Sequence, residues 1–439
     1  MLEAKKPLPA RVSGFQTDQI VISIGPTGHR APQAVSDHVR GMKMGTIRNR
    51  KPDYKRGTRK DIIEILHMTG VIPAKALSLM NVPRTYKQKL KDMEREGIIE
   101  QVRVKNFNHV RLVYYMKPYD EISGVFASDL RDGFYESYSA YGMLARKNCL
   151  HGSETRSVRA IQNAEAYMFM HAAGLACSLC ERPNLIAEDH LDMKNAYYMS
   201  YDFKNAAQYE DKVVLNPKGG MKEIMGSRVI GLAATQGGIY SVFVQTGDAA
   251  RWQAGAEIRM RIHIDAMLAK KMEFPKKPCG LIISDDYESL SRLVDPAIEL
   301  RYKAKAAVRQ LEESYEKVYA LPLTADGKKL FEVMSRPGWE RIIREASFGR
   351  QAAQAGQMAV DCDLYENGTY TLNFCAPDIM RLRRFLAYAS SDTEHRYRIT
   401  CFDFQKGMLE KASHGSCEIK SGPFEKFLKI IEPAVGKIR

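Results

Sequence analysis

"PRTYKQKLKDMEREGII", Pro83 to Ile99, is the stretch on which the reading of the chain turns. Wound as a helix at about 100° per residue, it gathers Arg84, Lys87, Gln88, Lys91 and Arg95 within about 60° of one meridian. Tyr86, Leu90 and Met93 fall on the opposite side as a packing stripe, and Glu94 and Glu96 are kept toward the flanks and the C-terminal end. Pro83 suits a first helical position, because its φ is already set and the amide hydrogen it lacks would have no partner there. A merely solvated helix face usually mixes charges of both signs, whereas this one is almost wholly cationic.

The flanks extend the pattern. Upstream, "TRKDIIEILHMTG" spaces Ile62, Ile65 and Leu66 as a helix that stops at Gly70, and "PAKALSLM" reads as a second, shorter helix. Downstream, "IIEQVRV" and "VRLVYYM" read as two strands joined by a turn at "KNFNH". Three helices and a hairpin within about sixty residues make a winged helix-turn-helix. Arg103, Lys105, His109 and Arg111 surround the hairpin turn and repeat the cationic bias of the helix.

The net charge of +14 sits at the front of the chain: residues 1–60 hold 13 Lys and Arg against 4 Asp and Glu, and residues 61–120 hold 10 against 7. The rest is nearly neutral. Residues 1–56 read as a basic, flexible arm, poor in apolar residues apart from "DQIVISIG". Arm, helix and wing agree in sign, so the expected partner is double-stranded DNA, held at its phosphates, with Arg and Gln able to reach base edges. A solvated basic face, or a winged helix used as a protein–protein module, is the plainer alternative. The start of the chain shows no signal peptide and no apolar run approaches the roughly 18 residues that span a bilayer, so the expectation is a cytoplasmic protein with no membrane partner.

Beyond about residue 130, strand-like segments ("NAYYMSYDFK", "SRVIGLAAT", "GIYSVFVQTG", "CGLIISD", "KVYALPLT") alternate with helices, including "SETRSVRAIQNAEAYMFMHAAG" and "AEIRMRIHIDAMLAKKM". From about 350 a smaller unit opens with a hairpin at Asn367-Gly368, followed by the helix "PDIMRLRRFLAYA", the strand "RYRITCFDF" and the helix "GPFEKFLKIIEP". The fold expected is therefore an α+β or α/β multidomain chain: arm 1–56, winged helix-turn-helix 57–120, mixed α/β domain 130–349 and a small α+β unit 350–439.

"NAYYMSYDFKN" and "MGSRVIGLAATQGGIYSVFVQTGDAARWQAGAEIRMRIHI", behind the "KLKDMEREGII" helix and its wing, are similar to the replication-relaxation family of plasmids and conjugative elements. The resemblance covers roughly residues 58–330. It implies a winged helix joined to a restriction-endonuclease-like domain, in a DNA-binding accessory or regulatory protein of a mobile genetic element, with replication or transfer proteins and a homodimer as further partners.

A nuclease of that fold places a carboxylate on one strand and a Glu/Asp-x-Lys triplet on the next, to hold Mg²⁺ and activate water. The strand "GIYSVFVQTG" carries neither. The nearest imitation is Asp202-Phe203-Lys204, with Glu257, Asp285 and Asp286 as further acids; an inactive, structural form of the fold is the preferred reading. No cofactor is expected unless the nuclease alternative, with Mg²⁺, holds; the other alternative is a non-catalytic interaction scaffold. Cys177 and Cys180 form a lone CxxC which, even with His171 and His190 nearby in sequence, lacks zinc-finger spacing. Walker A, Rossmann, HExxH and Gly-x-Ser-x-Gly patterns are missing.

Overall fold

The computed structural model describes residues 57–106, 109–116, 154–178, 181–183, 185, 195–203, 226–245, 252–272, 276–285, 287–295, 308–349 and 360–435. The arm at 1–56 lies outside them, as do Lys204, Asp286, Cys180 and His190.

Around the opening stretch the order is helix α1 (Thr58–Thr69), strand β1 (Val71–Pro73), a 3-10 turn (Ala74–Leu79), helix α2 (Pro83–Arg95), then strands β2 (Ile99–Asn106) and β3 (His109–Met116). Helix α1 ends at Gly70, whose φ of 81° is left-handed. Helix α2 begins on Pro83, and its end explains "EGII". Gly97, at φ 75°, donates to Glu94 O, and Ile98 N donates to Met93 O at 3.0 Å. This doubled bond is a Schellman motif, and Ile98 and Met93 are buried in the same cluster beneath it. The chain thus leaves the helix directly into β2. Two features differ from the sequence reading. The second helix is a 3-10 turn, and Val71–Pro73 forms a strand that pairs antiparallel with β3, giving a sheet ordered β1-β3-β2.

The central layer is a five-stranded mixed sheet: β4 (Ala196–Met199), β5 (Gly231–Ala234), β6 (Ile239–Gln245), β7 (Cys279–Ser284) and β8 (Val318–Pro322), in that spatial order. Pairing is antiparallel from β4 to β6 and parallel from β6 to β8. Helix α3 (Glu154–Ala172) precedes it, and helix α4 (Ala254–Lys271) makes the crossover that a parallel β6–β7 pair requires. Both faces are covered, so every residue of β4, β5, β6 and β8 is buried. Tyr240, Val242 and Val244 face the α3 side with Tyr167 and Phe169, while Ile239 and Phe243 face Met260, Ile264 and Met267 of α4.

After β8 come α5 (Ala325–Met334) and α6 (Trp339–Phe348). A second, four-stranded sheet follows, ordered β12-β11-β10-β9: β9 (Leu364–Glu366), β10 (Thr369–Asn373), β11 (Arg396–Phe402) and β12 (Glu418–Gly422). The Asn367-Gly368 turn has φ of 47° and 72°, the primed geometry that suits a two-residue hairpin. Helices α7 (Ile379–Ser391) and α8 (Lys406–Ser413) link parallel strands, and α9 (Phe424–Val435) closes the fold. The described residues belong to one compact unit, so the two larger sheets share a core in which Phe374, Phe385 and Ile399 pack with Leu290 and Leu293. The chain is a mixed α+β protein with several sheets.

Candidate nucleic-acid interface

On α2 the two faces separate as the spacing requires. Tyr86, Leu90 and Met93 are buried, and each such side chain contributes about 1.5–3 kcal/mol to folding through its apolar surface. On the other side Arg84, Lys87 and Lys91 are exposed, with no hydrogen bond or ion pair among the described residues. Gln88 and Arg95 share that side, but both donate to Asp92 Oδ1, at 3.0 and 2.6 Å, and Lys89 stands 3.8 Å from Asp92 Oδ2. Asp92 is the residue the helical wheel alone undervalued; its i, i+3 and i, i+4 spacing to these partners was the available signal. Glu96, at the end of the helix, is held by the Arg59 fork at 3.0 and 2.7 Å.

The stripe is anchored by a polar chain beneath it. The Tyr86 hydroxyl donates to Asp61 of α1, and the other Asp61 oxygen lies 3.0 Å from His171 Nε2 of α3. Burial, and then the Asp61 charge, push the Tyr86 phenol far above its ordinary range. For His171 burial alone would favour the neutral ring, but its bonds to Asp61 and Cys177 outweigh that and hold its pKa well above the usual value. Burial raises the Cys177 thiol despite its bond to His171. Cys177 is thus a core thiol bonded to an imidazole.

In the hairpin the strands pair from Ile99↔Met116 to Asn106↔His109. Arg103 is exposed and without a partner among the described residues. Lys105, His109 and Arg111 occupy paired positions in β2 and β3, and their side chains lie outside the described set. Val71 and Val113, with Val102, Val104 and Tyr115, pack on Ala160, Ile161 and Ala164 of α3. The hairpin is therefore clamped to the body, which sequence reasoning did not foresee. Lys75, whose ammonium donates to Asp285 O at 2.8 Å and stands 3.8 Å from its carboxylate, adds a second tie.

The acids considered for metal chemistry occupy different surroundings. Asp202 Oδ2 accepts from Arg182 Nη1 at 2.7 Å and from Met199 N at 2.6 Å. Arg182, buried, also donates to Tyr197 O at 2.7 Å and lies 4.9 Å from the Tyr198 ring centroid. Glu257 is wholly buried and accepts from Ser227 Oγ at 2.7 Å and Arg228 N at 2.9 Å; burial raises its pKa in spite of those bonds. Among the described residues no three His, Cys, Asp or Glu side chains form a group that could hold a metal ion.

A cleft of about 840 Å³ opens at the starts of β6, β7 and β8, walled by Tyr240, Tyr319 and Trp339. Its central cations are engaged: Lys317 Nζ donates to both Glu340 oxygens at 2.7 and 2.8 Å, and Arg261 bonds Asp265 and Ser314 O. Among the described residues no helix is long and apolar enough to cross a membrane. Compared with family models, curated proteins and solved structures, the chain matches none.

Proposed function

We propose that the chain is a DNA-binding accessory or regulatory protein of a mobile genetic element. Residues 57–120 act as a winged helix-turn-helix and α2 enters the groove of duplex DNA. The observation that carries this reading is the set of three exposed, partnerless cations, Arg84, Lys87 and Lys91, on the face of α2 opposite its buried stripe. Phosphates are the natural counter-charge for such a face, and Gln88 and Arg95 are placed to reach base edges once Asp92 releases them. Arg103 supplies the adjoining backbone contact, joined by Lys105 and Arg111 of the hairpin.

The mobile-element role, with replication or transfer proteins as partners, rests on the resemblance of the central segments to the replication-relaxation family. In this reading the central domain is an inactive restriction-endonuclease-like body that supplies dimerisation or a docking face. Asp202 supports the loss of activity, since the carboxylate oxygen that bonds Arg182 also caps the turn after β4.

The test is a gel shift at moderate salt with Lys87→Glu/Lys91→Glu. Binding should be lost while the far-ultraviolet spectrum and melting temperature stay those of the parent. Undiminished binding would show that α2 does not enter the groove.

A further inference from the structure

The hairpin's inner face rests on α3, and α3 carries its own cations past that contact. Ala160 and Ala164, which touch the hairpin, share a stripe of α3 with Arg156, one turn nearer the N-terminus. Arg156 is exposed and has no partner among the described residues. Arg159, part-buried, reaches across to the body: its Nη2 donates to Ser227 O at 2.7 Å. The next residue is Arg228, which is exposed and whose guanidinium makes no hydrogen bond among the described residues. At the other end of α3, His171 holds Asp61 of α1, so the helix runs from α1, past the hairpin, to these arginines.

We infer that Arg156, Arg159 and Arg228 form a second phosphate-binding surface on the body, beside the hairpin, which extends the DNA contact of α2 and Arg103. The inference rests on the DNA-binding reading proposed above. Arg159 and Arg228 lie near one another and near the buried Glu257, which is already bonded to Ser227 and the Arg228 amide, and Arg156 stands one helical turn before Arg159 on α3. Like charges brought together at a surface repel, and an anion arriving from solvent relieves that repulsion. Burial lowers the Arg228 pKa, the attraction of Glu257 opposes it, and the nearby Arg159 adds a smaller lowering. Phosphate suits the geometry because a guanidinium presents paired donors to two oxygens at once. The surface carries no sequence information; its part is register and affinity.

The clamp between hairpin and α3 gives the inference its mechanical content. Val102, Val104 and Val113 belong to one packed cluster with Ala160, Ile161 and Ala164 of α3, so the two basic surfaces are fixed to one another and one duplex can engage both without a hinge between them.

The experiment is a salt titration of binding to a random-sequence duplex of about 25 base pairs. The proteins are the parent, Arg156→Ala/Arg228→Ala, and a charge-matched control, Lys426→Ala/Lys429→Ala, in α9. Arg159 is left in place because it bonds Ser227 O. Loss of two phosphate contacts makes the slope of log K against log salt shallower by about 2, and affinity at low salt falls by about tenfold or more. The control should keep the parent slope, and Arg156→Lys/Arg228→Lys should restore most of it. A double alanine variant whose slope equals that of the parent, or a control that changes it equally, overturns the inference. The two readings fail separately: if Lys87→Glu/Lys91→Glu abolishes binding while the arginine variant binds as the parent does, α2 stands and this surface falls. If the parent itself binds no duplex, both fall.

Discussion

The exposed face of α2 and the candidate acids of the central domain carry charges in opposite circumstances. Arg84, Lys87 and Lys91 stand in solvent and answer to nothing in the described fold. Asp202 and Glu257 are each held by two hydrogen bonds from nearby donors, and Glu257 is fully buried. A site meant for an external partner keeps its charges unspent; a charge that closes a fold is satisfied where it sits. The difference separates Asp202 and Glu257 from the free cations of α2 by what each meets in the fold.

The largest effect should come from reversing the free charges. Lys87→Glu/Lys91→Glu places two anions against the phosphates, and DNA affinity at moderate salt should fall on the order of a hundredfold or more, since several phosphate contacts are lost together. Stability should move by no more than about 0.5 kcal/mol, the usual range for exposed positions. A large drop in melting temperature would break the comparison, because it would make these lysines part of the fold.

Asp202→Ala should do the reverse. Removing it leaves Arg182 buried without its counter-ion, which costs about 3–5 kcal/mol. Chemical denaturation measures this. A variant as stable as the parent that had lost an Mg²⁺-dependent nicking activity on supercoiled plasmid would return Asp202 to the catalytic reading.

Beneath α2 a third circumstance holds: a charge paired in the interior and open to titration. The folded pKa of His171 lies above its unfolded value of about 6.5, so its contribution to stability is complete below that value. It is lost as pH rises through the raised folded value, because the unfolded chain has by then released a proton that the folded chain still holds. The melting temperature of the parent should therefore fall more steeply from about pH 6 to pH 9 than that of His171→Gln, which has no such proton to lose. Parallel profiles would place the charge elsewhere.

Much of this was readable in advance wherever local rules govern. The buried stripe of α2 follows from a 3.6-residue period, the "EGI" stop from a glycine that alone adopts positive φ easily, and the Asn367-Gly368 hairpin from its turn chemistry. What escaped was decided by partners remote in sequence. Val71–Pro73 is too short, and too close to a proline, to read as a strand until β3 pairs with it some forty residues later. Glu418–Gly422 is a largely exposed edge strand with no apolar alternation, made a strand by pairing with β11. The same blindness applied at the site. Arg182, twenty residues before Asp202, gives that carboxylate a buried partner that no local pattern announces, and the docking of the hairpin on α3 brings it close to the helix that carries Arg156.

The smallest effect is the finest test of the comparison, because Asp92 belongs to both kinds of charge. It lies on the exposed helix, yet it gathers Gln88, Lys89 and Arg95 and so withholds Gln88 and Arg95 from the cationic face. Asp92→Asn keeps the shape and an acceptor oxygen while removing the negative charge. If the face meets phosphate, the freed cations should raise DNA affinity about three- to tenfold at low salt, or about 0.7–1.4 kcal/mol. The gain should shrink as salt screens the surface. Stability should fall by less than about 1 kcal/mol, as expected for exposed ion pairs. Fluorescence anisotropy at two salt concentrations measures the affinity. If the Asp92→Asn variant binds DNA no better than the parent at low salt, the acid was never competing with phosphate, and the partner of Arg84, Lys87 and Lys91 is something other than a nucleic-acid backbone.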